Sequence, residues 1–73
     1  MQKLVKQLST LLNEGKAELI DFDELTGTYS RKKVDAVDKQ LNELRQAGLV
    51  TYQREDYGFR INVHDMVKLR EYK

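Results

Sequence analysis

Apolar residues between positions 2 and 14 fall at Leu4, Leu8, Leu11 and Leu12, with Val5 alongside. Steps of three and four put them on one face of a helix. Gly15 is placed to close that helix, because glycine adopts the left-handed conformation in which helices commonly end. Residues 17–20 form a short link that can be read as a strand. Asp21 and Glu24 then stand at the spacing of a capping box, which predicts a short second helix with Phe22 and Leu25 inward. It should stop near Gly27, leaving Thr28 and Tyr29 in the turn and Ser30 to cap a third helix.

The third segment, about residues 31–47, carries the most regular stripe in the chain: Val34, Val37, Leu41 and Leu44. Gly48 ends it. Residues 49–54 change to β-type composition, a turn over 55–58 comes next, and Phe59, Ile61 and Val63 then alternate with Arg60 and Asn62. That period of two predicts an antiparallel hairpin with one wet face and one buried face. A lone hairpin is marginal in water, so the buried face needs the helices before it as cover. Residues 65–72 predict a last short helix with Met66 and Leu69 inward.

Seventy-three residues hold one domain, whose folding hides only roughly 60% of the surface of the extended chain, so its stability should be a few kcal/mol. The absence of cysteine excludes a disulfide framework and a thiolate metal site. Thirteen Lys and Arg against 12 Asp and Glu leave a formal charge of +1, so any basic signal must be local. The first residues lack the long apolar run of a signal peptide or membrane span, which predicts a cytoplasmic protein. No proline, low-complexity stretch or internal repeat interrupts the chain, and all of it is expected to fold.

The order helix, short link, helix, turn, helix, hairpin resembles the winged helix-turn-helix superfamily. The local phrase that carries the resemblance is Leu41-Asn42-Glu43-Leu44-Arg45-Gln46-Ala47-Gly48-Leu49-Val50. The resemblance implies an α+β fold, a small winged helix of three helices plus a C-terminal two-stranded β-hairpin wing and a short final helix. Leu41 and Leu44 would sit on the recognition helix, Gly48 would end it, and Leu49 and Val50 would open the first wing strand. It also implies double-stranded DNA as partner, with the third helix in the major groove of a dimeric transcriptional regulator. Tyr29, Ser30, Arg31, Lys32, Lys33, Lys39 and Asn42 would then meet DNA from the helix, and Arg54, Tyr57 and Arg60 from the wing.

The residues themselves speak both ways. Arg31, Lys32 and Lys33 come directly after Ser30 at a helix start, where cations oppose the helix dipole and an unforced design would place acids, which favours a use in binding. The plain alternative is a solvated helix start, with Asp35 and Asp38 near enough to neutralise the triplet. Asp35, Asp38 and Glu43 do not suit phosphate. Arg54 and Arg60 can equally pair with Glu55 and Asp56 and keep a short hairpin soluble. Glu18, Asp21, Asp23 and Glu24 should repel DNA, and capping and solubility account for most of them. His64 beside Asp65 is a weak candidate for acid-base or metal chemistry, better read as a turn or helix cap. Val5, Leu12, Val67 and Tyr72 could form a homodimer seam through the first and last helices, or pack within one chain. No catalytic pair, cofactor motif or small-molecule site stands out. The rival to DNA binding is a protein-interaction module: adaptor, assembly factor or inhibitor.

Overall fold

The computed structural model describes residues 2–27 and 30–72. In chain order they form α1 (Gln2–Leu11), β1 (Glu18–Asp21), α2 (Phe22–Thr26), α3 (Arg31–Gln46), β2 (Val50–Arg54), β3 (Gly58–Val63) and α4 (Met66–Glu71). This is a small α+β fold whose three strands make one antiparallel sheet in the order β1-β3-β2. No helix among the described residues is long and apolar enough to cross a membrane.

The link between the first two helices is therefore a full strand, and the expected two-stranded hairpin is a three-stranded sheet. β1 pairs with β3 from Glu18 opposite Ile61 to Asp21 opposite Gly58, while β2 pairs with it from Val50 opposite Val63 to Arg54 opposite Phe59. The physical reason lies in β3. Phe59, Ile61 and Val63 are fully buried, and a central strand satisfies its backbone groups on both edges. In β1 only Ile20 turns inward, with Leu19 left 46% exposed. Four residues with one buried side chain give too short an alternation to read with assurance.

One apolar cluster joins the sheet to the helices. It takes Leu4, Val5 and Leu8 from α1, Leu12 just after it, Phe22 and Leu25 from α2, Val34, Leu41 and Leu44 from α3, and Leu69 from α4. Val37 and Met66 pack against its margin, half-buried. Phe59 is the hub: Phe22 meets it edge-on at 5.2 Å and Tyr52 at 6.0 Å between ring centroids. A buried Phe or Leu contributes about 1.5–3 kcal/mol through removal from water, and no charged or polar residue lies in the core among the described residues.

The ends of α3 contrast in how their backbone groups are met. At its C-terminus the Gly48 amide donates to the Arg45 carbonyl and the Leu49 amide to the Leu44 carbonyl, both at 3.0 Å. With Gly48 at φ 79°, this is a Schellman closure, and Leu44 and Leu49 are both buried beneath it. At its N-terminus Ser30 has extended cap geometry, but its hydroxyl makes no cap hydrogen bond. Asp21 likewise makes no side-chain cap to α2, so the capping-box spacing is not used as such. Asp21 instead belongs to β1, opposite Gly58. α1 ends at Leu11 rather than near Glu14, because the chain must turn early to enter the sheet. The Gly15 amide donates to the Val63 carbonyl at 2.8 Å there.

Asp65 does act as a cap, its Oδ1 accepting the Lys68 amide at 3.0 Å. Glu14 supplies a long-range partner, with Oε1 accepting the Met66 amide at 2.8 Å. Between them these carboxylates satisfy two first-turn amides of α4. His64 places Nε2 3.2 Å from Thr51 Oγ1, so the His64 and Asp65 pair serves a strand end and a helix start.

Candidate nucleic-acid interface

With Val34, Leu41 and Leu44 facing the core, α3 exposes Lys32, Asp35, Ala36, Lys39 and Glu43. Arg31, Lys32 and Lys33 are all exposed too. Successive residues of a helix turn by about 100°, so the triplet is a fan rather than a point cluster. Arg31 lines a recess of about 310 Å³ with Phe22, Val34 and Arg54. Lys33 turns the other way, into a groove shared with α1 and α2. Lys32 lies between them, on the same outward side as Lys39.

Asp35 and Asp38 do not mask this fan. Arg54 reaches over from the end of β2, its Nη1 donating to Asp35 Oδ1 at 3.0 Å and to Asp38 Oδ2 at 3.1 Å. The guanidinium also lies 5.7 Å from the centroid of the Phe22 ring. Asp38 takes a second donor from the same strand, the Tyr52 hydroxyl, at 2.7 Å to Oδ1. Burial first, then this hydrogen bond and the negative charge of Asp38, push the Tyr52 hydroxyl up to about 12. The hydrogen bonds that Arg54 donates to Asp35 and Asp38 raise its pKa above the ordinary value. The two acids thus fasten the hairpin to α3. Among the described residues Arg31, Lys32, Lys33 and Lys39 make no ion pair.

The expected wing cations are placed differently from the helix ones. Arg54 is committed to α3 and does not pair with Glu55 or Asp56, because Arg54 shares the core-facing side of β2 with Tyr52. Arg60 donates from Nε to Glu55 Oε2 at 2.8 Å across the hairpin. Tyr57, 75% exposed at the turn, presents an open ring and hydroxyl. Asn42 is half-buried, its Oδ1 accepting Arg45 Nη2 at 2.7 Å. Ser30 is half-buried at the start of α3, and Tyr29 lies outside the described residues.

Sequence reasoning missed the cluster of Asp35, Asp38, Tyr52 and Arg54. The signal was present as two spacings, acids three apart on a helix and Tyr and Arg two apart on a strand. Only the packing of α3 on β2 brings the two together. Of the proposed seam residues, Val5 and Leu12 are buried in the core of their own chain, Tyr72 is half-buried against it, and Val67 is 64% exposed. Among the described residues no group of three or more His, Cys, Asp or Glu is placed to hold a metal ion. No family model, curated protein or solved structure gives a significant match to this chain.

Proposed function

We propose that this chain is a winged-helix DNA-binding domain that works in the cytoplasm as a dimeric transcriptional regulator and catalyses nothing. In this reading α3 enters the major groove of double-stranded DNA, and the β2–β3 turn is the wing. The observation that carries it is the basic fan of Arg31, Lys32 and Lys33, exposed and unmatched by carboxylates among the described residues, beside a hairpin that Arg54 fastens to the same helix. The element order supports it as well, with the winged-helix reading of the sequence now extended by β1 at the far edge of the sheet. Lys32 and Lys39 are the outward side chains for bases and phosphates, Arg31 and Ser30 flank them, and Tyr57 is what the wing offers. Arg54 and Arg60, both held by acids, are supports of the wing rather than contacts. Few phosphates are neutralised per copy, so two copies on adjacent half-sites would be needed for useful affinity. Val67 and the α1–α4 surface are where a second copy would meet the first.

The pairing of Arg54 and Arg60 within the chain, together with exposed Asp21, Asp23 and Glu24, favours a second reading: a winged helix that docks a protein and leaves DNA alone. Titrating labelled duplex between about 50 and about 200 mM salt separates them. DNA binding requires a steep fall of log K with log salt, and an R31A/K32A/K33A variant should flatten that slope by about 3. Equal, negligible retention of duplex by both proteins would select the protein-docking reading.

A further inference from the structure

In a helix-turn-helix the first helix of the pair crosses the phosphate backbone, and here that helix is α2. Its start carries Asp21, Asp23 and Glu24, all exposed, which repel phosphate. A duplex lying on α3 must have its backbone held from somewhere else. Lys3 and Lys6 stand exposed one turn apart on α1 and make no ion pair among the described residues. Lys3 and Lys33 line one groove of about 240 Å³ between α1 and α3, floored by Leu4, Leu25 and Val37. Lys3 and Lys6 line the adjoining recess, where Glu24 is the one carboxylate in the wall. The cationic fan of α3 therefore continues across the groove onto α1.

We propose that Lys3 and Lys6, with Lys33 opposite, form a second phosphate-holding surface, so that the duplex backbone runs over the α1–α3 groove instead of over the start of α2. The inference rests on the DNA reading of α3 and names where the backbone lies in it. Lysine suits the task, because its ammonium acts as a mobile point charge that tracks a polyanion without demanding one geometry. Residues three apart on a helix set their Cβ atoms about 5–6 Å from each other, so Lys3 and Lys6 can serve neighbouring phosphates.

The test is duplex titration over a salt series with wild type, K3A/K6A, the charge-keeping K3R/K6R, and K16A, just before β1, as a remote cation. Circular dichroism melts confirm that each is folded. The proposal expects the salt slope to become shallower by about 2 in K3A/K6A, to stay in K3R/K6R, and to stay in K16A. A K3A/K6A slope equal to wild type, while R31A/K32A/K33A flattens it, overturns the α1 path and leaves the DNA reading standing. Equal flattening per charge by K16A assigns the effect to net charge and also overturns it. Absence of salt-dependent binding by wild type removes both.

Discussion

Replacing Asp38 by alanine removes two things at once: the nearer acceptor of the Tyr52 hydroxyl, at 2.7 Å, which leaves it only the residue-38 carbonyl at 3.2 Å, and one of the two carboxylates that hold Arg54. A net intramolecular hydrogen bond contributes about 0.5–1.5 kcal/mol, and slightly more when its acceptor is charged. An exposed ion pair adds about 0.2–1 kcal/mol, and Asp35 still holds Arg54 at 3.0 Å in the variant. The expected loss for Asp38→Ala is therefore about 2 kcal/mol. In a domain of this size each 1 kcal/mol moves Tm by about 4–8 °C, so the melt should fall by roughly 8–16 °C. Asp38→Asn keeps an oxygen for Tyr52 but puts an amide nitrogen where Oδ2 accepts Arg54, losing the charge and that one contact, and should cost about half as much. A double-mutant cycle of Asp38→Ala with Tyr52→Phe, read by urea denaturation, isolates the pair and should return a coupling of about 1 kcal/mol. Strict additivity of the two single changes would refute the claim that this hydrogen bond fastens β2 to α3.

Gly48→Ala forces a left-handed φ on a residue with a side chain and should lower stability by about 1–2 kcal/mol, seen as a lower urea midpoint at constant slope. Gly58→Ala should do more damage, because a Cβ there would stand 2.3 Å from the Ile20 carbonyl oxygen. Amide exchange should show the pairing of β1 with β3 lost first. The Tyr52 hydroxyl ionises in the unfolded chain near its ordinary value of 10 and in the folded one near 12. Its contribution is thus complete below about pH 10 and is lost as pH rises toward 12, where the folded state binds more protons than the unfolded one. Tyr52→Phe should melt with a shallower decline across that window than wild type.

Most of the fold could be read from the chain, because α1, α3 and β3 each repeat their apolar residues at one unbroken period. The stripe of Val34, Leu41 and Leu44 and the alternation of Phe59, Ile61 and Val63 needed no tertiary information. β1 was less plain, since its place as a strand is decided by β3 having a second edge to fill. The caps show the same limit. Asp21 and Ser30 have the right identity for caps, yet strand pairing at Asp21 and the local path at Ser30 leave their side chains unused, whereas Asp65 does cap. At the candidate interface the exposure of Arg31, Lys32 and Lys33 can be deduced from the stripe alone. The destination of Asp35, Asp38 and Arg54 cannot, because it depends on which strand crosses the helix and at what register.

The position of β3 between its two partners has a bearing on how the domain comes into being. β1 and β2 do not touch each other in the sheet. A ribosome that has released residues 1–57 has delivered two future edges and nothing to join them. Closure waits on the last quarter of the chain, and the contact of residues 18–21 with 58–61 is the long loop to be closed. Shortening the protein from its C-terminal side past residue 58 would therefore abolish the whole sheet in one step, not trim a margin from it.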